Sequence, residues 1–514
     1  MSDSAGKHSY NDVNRGANRL ANYLIHTGLE AGQVVACLLE RSFDSVIAFW
    51  AIQKAGGVCV NLDPNNSERV AEAVKLTRPT LVVTTSTAGH QAEHIDRIFL
   101  DKEAQNIAEQ SDRRPDIQIL LQQPSVLAFT SGSSGKPKAV AIPHVGLHDL
   151  FLRWSASLRD SLSKGTRLLH AGSLWWVSSV MEMVLAAAAG AVLVIAPQPS
   201  GGAMDGADLC HFLARHQISA MIANPTRLQG MLDAAKGMMG TVAGKQTLAG
   251  TSLQLIISLG EILPTQLMGR LQQAYPSLRL LNAYGSTESG GSHFLECSQP
   301  DGPAPRSGFS LVGKTIPGHT DVYILDSQMQ QLAPGEVGDI YVSNSYCSAE
   351  YFGDSAASAQ KWLPNPFSSK PDRAKMCKTG DRGALRNDGC LDLAGRADRQ
   401  VKLAGNGFVD LNLIEETMQQ AASVTHAFAV STNSLSLALF VVQKQQDMSQ
   451  LQRHAAEHLP SWMTNLLTFT LMAQDQIPCL HNGKVDRKEL MRRSLGANAD
   501  AILQVWKADE QDIG

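Results

Sequence analysis

Residues 11–63 read NDVNRGANRLANYLIHTGLEAGQVVACLLERSFDSVIAFWAIQKAGGVCVNLD, and their alternation decides the fold class. In NDVNRGANRLANYLIHTGL the apolar residues recur at helical spacing, and QVVACLLE then reads as a strand. FDSVIAFWAIQKAG returns to a helix ended by glycine, and GVCVNLD is a second strand. Strands alternating with helices predict an α/β fold with sizeable, largely parallel sheets. The β-rich signature recurs in RPTLVVTTS (78–86), TRLLHAG (166–172), AVLVIAP (191–197), ISAMIANPT (218–226) and LQLIISLG (253–260). From Gly308 to about Leu393 the character shifts to short strands and turns, as in VGKTIPG, DVYIL, GDIYVSN and DGCLDLAG. Beyond Gly395 a second, smaller unit mixes strands and helices. No repeat and no low-complexity stretch interrupts this order.

Outward from that stretch, a chain of 514 residues exceeds one ordinary domain and points to a large multi-layer body with a smaller partner. Hydrophobic residues at 44% and charged residues at 18% fit a folded enzyme and exclude a disordered or fibrous chain. Against 48 Asp+Glu stand 44 Lys+Arg, a net charge of -4, so no basic surplus exists to hold nucleic acid. Cys37, Cys59, Cys210, Cys297, Cys347, Cys377, Cys390 and Cys479 form no C-x-x-C pair and no cluster with histidine. They read as reduced, mostly buried thiols of a cytoplasmic protein. The opening MSDSAGKHSYNDVN lacks the apolar core of a signal peptide. The longest apolar run, Met183 to Pro197, is too short to span a bilayer and is broken by Gly190. It reads as a buried helix, MEMVLAAAA, capped by glycine and followed by a buried strand. The expectation is a soluble protein with no membrane partner.

Five stretches carry chemistry. Leu127 to His144, LAFTSGSSGKPKAVAIPH, runs an apolar strand into a loop of small hydroxyl and glycine residues. Thr130, Ser131, Gly132, Ser133, Ser134 and Gly135 let backbone N–H groups and hydroxyls approach phosphate oxygens, and Lys138 supplies a point charge. It is not a Walker loop, because Pro137 follows Lys136 and G-x-x-x-x-G-K-[ST] is not matched. Alone, such a loop is more often a linker; the strand before it and the Pro-Lys after it strengthen the phosphate reading. Leu281 to Gly290, LNAYGSTESG, sets Tyr284 beside glycine, then Thr287 and Glu288, a set able to stack a base, touch a phosphate and hold a metal, or simply to form a turn after a strand. In Lys378 to Asp381, KTGD, the carboxylate could take two ribose hydroxyls. GRADRQVKLAGNGFVDLNLIE (395–415) and the turn NGKVDR (482–487), which presents Lys484, complete the set.

In their order and spacing these stretches resemble the adenylate-forming (AMP-binding) superfamily, most closely the adenylation domains of nonribosomal peptide synthetases. KAGGVCVNLDP (54–64) resembles that family's K-A-G-G-x-Y-V-P-L-D-P, GDIYVSN its G-E-L-Y-I-x-G, and LPSWM (459–463) its L-P-x-Y-M. The resemblance covers nearly the whole chain. It implies a large adenylation core at 1–396, built of packed α/β sheets with a β-rich subdomain, and a small, mobile α+β lid at 397–514 that carries Lys484. ATP and Mg²⁺ are the implied cofactors. The Thr130–Lys138 loop would close over the triphosphate, and Asn282 and Tyr284 would line the adenine site. Thr287 would contact the α-phosphate and Glu288 would coordinate Mg²⁺. Asp381 would bind the ribose hydroxyls with Arg396 close by, Asp398 would be the hinge, and Lys484 would neutralise the carboxylate and α-phosphate. Catalysis would then be alignment and charge neutralisation, the carboxylate itself attacking the α-phosphorus.

Three departures bear on that expectation. VKLAGNG puts Ala404 and Gly407 where the family has the arginines of V-K-I-R-G-x-R, in a region that serves thioester formation. Cys377 replaces the tyrosine of Y-x-T-G-D, a change of packing. The family's F-D-x-S, whose aspartate receives an α-ammonium, aligns with Trp176-Val177-Ser178-Ser179, and Val177 cannot pair a cation. By the same alignment the pocket is lined by Val177, Ser178, Met181, Ile222, Ile257, Leu259, Ala283, Gly291 and Ser292, a mostly apolar set, although some could be plain core. A carboxylic acid without an α-ammonium (2-oxo, aryl, aliphatic or β-amino) is favoured over an α-amino acid.

Both ends read as clipped relative to the family, and AILQVWKADEQDIG (501–514) resembles the opening helix of a carrier domain. The expected activity is acyl- or aminoacyl-adenylate formation with release of pyrophosphate. Transfer to the phosphopantetheine thiol of a carrier protein, in cis or in trans, follows. A ligase delivering to coenzyme A or an amine is the alternative within enzymes, and a degenerate nucleotide-binding scaffold the alternative outside them. Retention of Lys138, Glu288, Asp381 and Lys484 together argues against the scaffold.

Overall fold

A computed structural model describes residues 1, 6–88, 92, 94–130, 138–198, 204–238, 252–261, 263–297, 310–316, 318–403, 407–421, 423–433, 436–443, 447–459, 461–480 and 485–495. The first sheet orders its strands Glu350–Tyr351, Lys138–Pro143, Pro124–Thr130, Val58–Leu62, Val34–Leu38, Leu81–Thr84 and Asp96–Phe99. Val34–Leu38 and Val58–Leu62 pair in parallel and are buried at every position, as central strands covered on both faces must be. Helix Phe43–Lys54 packs on them and helix Tyr10–His26 packs on that helix. The latter buries Val13, Ala17, Leu20, Ala21 and Leu24, a single stripe at helical spacing. It starts at Ser9, whose hydroxyl accepts from the Asp12 N–H while the Asp12 carboxylate accepts from the Ser9 N–H; losing such a cap costs about 1 kcal/mol.

The second sheet has two halves. Val192–Ile195, Arg167–His170, Ala220–Ala223, Leu255–Leu259 and Arg279–Ser286 lie side by side in parallel. Gly290–Glu296, Ser310–Thr315, Leu391–Arg396, Lys375–Leu385, Gly338–Ser343 and Asp321–Leu325 continue it antiparallel. The sequence places the change of character at Gly308; it falls one strand earlier, because the turn after Ser286 returns the chain directly into Gly290–Glu296 as a hairpin. The buried helix of the longest apolar run spans Val177–Ala189 rather than starting at Met181, with the Ser179 hydroxyl donating to Trp176 O in its first turn. It ends, as its glycine predicts, at Gly190 in the left-handed region.

After Arg396 the strands belong to other sheets: a hairpin of Gln400–Leu403 with Gly407–Asp410, and a three-stranded sheet of Val424–Asn433, Ser436–Gln443 and Leu467–Leu471. Helices Leu411–Gln419 and Met448–His458 bury Leu411, Ile414, Met418, Leu451 and Ala455 in a core of this part's own. Glu415 ties the part together, accepting from Arg399 Nη2 at 2.6 Å, Ala429 N at 2.7 Å and both terminal nitrogens of Arg487. Burial works to raise the Glu415 carboxyl, yet Arg487 and Arg399 hold it below its ordinary range. Among the described residues no helix is long and apolar enough to cross a membrane.

Candidate active site

In open α/β sheets, ligands bind beyond the carboxyl ends of the parallel strands. A cleft of about 1740 Å³ opens beyond the carboxyl ends of the second sheet's parallel strands, Arg279–Ser286 among them. Asn282 and Tyr284 sit on that strand, and Thr287 and Glu288 on the turn that follows it; all four line the cleft. Asn282 is 6% exposed and its Nδ2 donates to Leu311 O at 3.2 Å.

Asp381 stands opposite Arg396 across two antiparallel strands, with Arg396 Nη1 at 3.5 Å from Asp381 Oδ1. The Tyr284 hydroxyl donates to Asp381 Oδ2 at 2.6 Å. Burial, and then that carboxylate, push the Tyr284 phenol well above its ordinary range, so it stays a donor. Gly380 holds φ +86°, a conformation that glycine adopts freely and that turns the chain toward Asp381.

A second group lies around Glu288. Thr130 and Lys138 are register partners at the ends of the first sheet's hairpin, and both line the cleft. Lys138 Nζ lies 4.6 Å from the centre of the Tyr351 ring, and the Tyr351 hydroxyl donates to Glu288 Oε1 at 3.1 Å. Trp362 Nε1 donates to the Glu288 carbonyl at 3.1 Å, fixing the turn. Lysine and carboxylate are thus joined through one aromatic ring. A carboxylate such as that of Glu288 suits Mg²⁺, which takes one or two carboxylates and fills its remaining positions with water and phosphate oxygens.

Of the residues assigned to the acid, Val177, Ser178, Met181, Ile222, Leu259, Ala283 and Gly291 line the same cleft. Ile257, 1% exposed, packs in the main core instead. Gly291 faces the Trp154 indole, and a Cβ there would run into the ring. Ser292 lies on strand Gly290–Glu296 and Asp398 in the turn Ala397–Arg399. Ser131, Gly132, Ser133, Ser134, Gly135, Ala404 and Lys484 lie outside the described residues.

The pocket is less apolar than the sequence suggests. Arg41, Glu182 and Arg227 also line it, and sequence reasoning missed them together with Tyr351. Glu182 left a signal: a carboxylate inside MEMVLAAAA, with no charge nearby in the chain, must be buried with a partner. That partner is His170, whose Nδ1 lies 2.7 Å from Glu182 Oε2, while Gly172 N donates to the same oxygen at 3.1 Å. Tyr351 left none, because its role depends on a strand that reaches the first sheet from far along the chain.

Residues that the resemblance assigns to adenine, ribose, phosphate and acid thus line one cleft. Comparison with known proteins gives the family. The family model described as AMP-binding enzyme matches residues 1–352. Novobiocin biosynthesis protein H of Streptomyces niveus is 30% identical over 502 residues, covering 94% of this chain and 78% of that protein. A dimodular nonribosomal peptide synthase of Bacillus subtilis (strain 168) is 29% identical over 507 residues, covering 94% of this chain but 20% of the synthase. The solved structure of Klebsiella oxytoca NpsA in complex with 3-hydroxyanthranilyl-AMSN shares the fold, with a TM-score of 0.79 at 21% identity, covering 96% of each chain. This chain belongs to the AMP-binding enzyme family.

Proposed function

We propose that the enzyme activates a carboxylic acid without an α-ammonium as its acyl-adenylate and passes the acyl group to the phosphopantetheine thiol of a carrier protein. The observation that carries the first half is the meeting in one cleft of Lys138, Glu288, Asn282, Tyr284 and Asp381, far apart in the chain and each suited to a different part of ATP. Asn282 and Tyr284 line the adenine site, and Asp381, held by Tyr284 and Arg396, accepts from the ribose hydroxyls. Lys138 and the hairpin loop hold the triphosphate, and Thr287 steadies the α-phosphate. Mg²⁺ would be held by Glu288 and, when bound, would neutralise phosphate charge. The acid's carboxylate attacks the α-phosphorus in line, the bond to pyrophosphate breaks, and Lys484 offsets the charge on both partners.

We divide the chain into a core, 1–396, and a lid, 397–514, because the described strands on either side of Arg396 share no sheet. Asp398 in the turn Ala397–Arg399 is then the hinge. The substrate class rests on the acid end. Val177 offers no ammonium partner, and Glu182 already accepts from His170 and Gly172. Delivery to a carrier rests on the likeness to the dimodular nonribosomal peptide synthase. The test is ATP–pyrophosphate exchange with a panel of acids, then transfer to a holo carrier protein against free coenzyme A. Exchange should be best with an acid lacking an α-ammonium, and transfer best with the carrier. Strong exchange with a plain α-amino acid would overturn the substrate class, and faster delivery to coenzyme A would overturn the acceptor.

A further inference from the structure

Three consecutive parallel strands of the second sheet end at one place. Ala171 and Gly172 follow Arg167–His170, Pro197 follows Val192–Ile195, and Arg227 opens the helix after Ala220–Ala223. Arg41 reaches there from the first sheet, 8% exposed, with Nη1 donating to Ala171 O at 2.5 Å and Gly172 O at 3.1 Å, and Nη2 to Pro197 O at 2.9 Å. Arg227 Nη1 donates to the same Ala171 O at 3.4 Å. Two guanidiniums therefore share one carbonyl. Glu182, 2% exposed, is the carboxylate that offsets both, and its Oε2 is already taken by His170 and Gly172. Among the described residues the Nε of Arg41 and the Nε of Arg227 are both buried without a hydrogen-bond partner.

The hydrogen-bonding capacity of the two guanidiniums is not filled by the described residues. Burial pulls both guanidiniums below their ordinary range; Glu182 opposes this at each, and at Arg41 the neighbouring Arg227 adds to it while Asp63 opposes it. Asp63 and Glu261 line the same cleft, Glu261 accepting from Asn224 Nδ2 at 3.0 Å and Thr226 Oγ1 at 2.7 Å. The two unpartnered guanidinium Nε groups border the acid. A Cβ on Gly172 would sit 3.3 Å from both Glu182 oxygens and from Ser178 Oγ, so the cluster meets the pocket wall at Ser178. Beside Ser178, helix Val177–Ala189 begins at Trp176 with no side-chain cap, leaving a partial positive charge toward the cleft.

We propose that Arg41 and Arg227 form a subsite for a second anionic group on the acid, so that the enzyme activates a dicarboxylic acid, one carboxylate reacting while the other rests against Arg227. This rests on the adenylation reading above and narrows its substrate. Arg41 is the fixed partner, committed to three carbonyls; Arg227, with one long bond, is free to close on a carboxylate in the forked geometry that guanidinium favours. The phosphates of ATP are the other anions within the same cleft, and the test separates the two sources.

Exchange is measured with straight-chain monocarboxylic acids and α,ω-dicarboxylic acids of equal carbon number, for wild type, Arg227→Gln and Arg227→Lys. Wild type should favour the diacid at least about tenfold in kcat/KM, Arg227→Gln should bring the ratio near one, and Arg227→Lys should fall between. Monoacids used as well as diacids would overturn the proposal. So would an Arg227→Gln variant whose defect is confined to the KM for ATP, which would give the cluster to the nucleotide. Glutarate binding by calorimetry is the arm that needs no turnover: it should weaken about tenfold in Arg227→Gln, and equal binding overturns the subsite. If no acid supports exchange, the adenylation reading fails, and glutarate binding still decides the subsite by itself.

Discussion

The two ends of the cleft are built on opposite plans. At the nucleotide end the charged groups are matched in place: Asp381 with Tyr284 and Arg396, Glu288 with Tyr351, and Lys138 over the Tyr351 ring. At the acid end the Nε groups of Arg41 and Arg227 are buried without a hydrogen-bond partner among the described residues, and Val177 stands where the family's ammonium-pairing aspartate is expected. A nucleotide brings the same phosphates on every turnover, so its site can be organised before binding. An acid pocket sets specificity by what it leaves unpaired, because a ligand lacking the complementary group leaves a buried charge unsatisfied.

The largest effects should come from the organised end. Glu288→Ala and Lys138→Ala should each reduce pyrophosphate exchange about a hundred- to thousandfold, the usual cost of one preorganised electrostatic partner. Glu288→Ala should show its defect chiefly at limiting Mg²⁺, and Lys138→Ala as a raised KM for ATP. Full exchange by Glu288→Ala at limiting Mg²⁺ would remove it from the metal site. It would also break the contrast, because the nucleotide end would then not depend on its matched charges.

Val177→Asp probes the other end. Its carboxylate would stand in the first turn of helix Val177–Ala189, inside the cleft and near the cationic cluster. It should shift preference toward α-amino acids by about tenfold relative to the matching 2-oxo acids, while penalising the original substrate through a poorly solvated charge. Paired exchange assays with acids of equal side chain read both changes at once. If the ratio did not move, the ammonium position would lie elsewhere.

This contrast also explains what could be read from the chain. The groups proposed for the nucleotide sit in short contiguous runs: LNAYGSTESG, a strand end and its turn, and KTGD, a stretch within strand Lys375–Leu385. Alternating apolar segments likewise revealed the parallel sheets, since buried central strands and their covering helices have distinct periods. The acid end is made of single residues, Arg41, Glu182 and Arg227, brought from three elements by sheet order, and a lone arginine carries no local pattern. Strand order is a property of pairing over long distance, and nothing in the apolar alternation specifies which neighbour a strand takes.

The smallest expected effect tests whether the organised end is organised by more than its ligands. Tyr351 touches both Lys138 and Glu288, through its ring and its hydroxyl respectively. Tyr351→Phe keeps the ring, hence the cation–π contact, and deletes only the 3.1 Å hydrogen bond to Glu288 Oε1. A net hydrogen bond of this kind contributes about 1 kcal/mol, so the Mg²⁺ concentration for half-maximal exchange should rise about fivefold while the KM for ATP stays nearly constant. Tyr351→Leu removes the ring as well and should add an ATP defect to the Mg²⁺ defect. The two variants thus separate the hydroxyl from the ring. If Tyr351→Phe left the Mg²⁺ dependence unchanged while Tyr351→Leu lost activity, the hydroxyl would play no part in orienting Glu288. The ring would then act by packing alone, and the matched charges at this end would owe nothing to Tyr351.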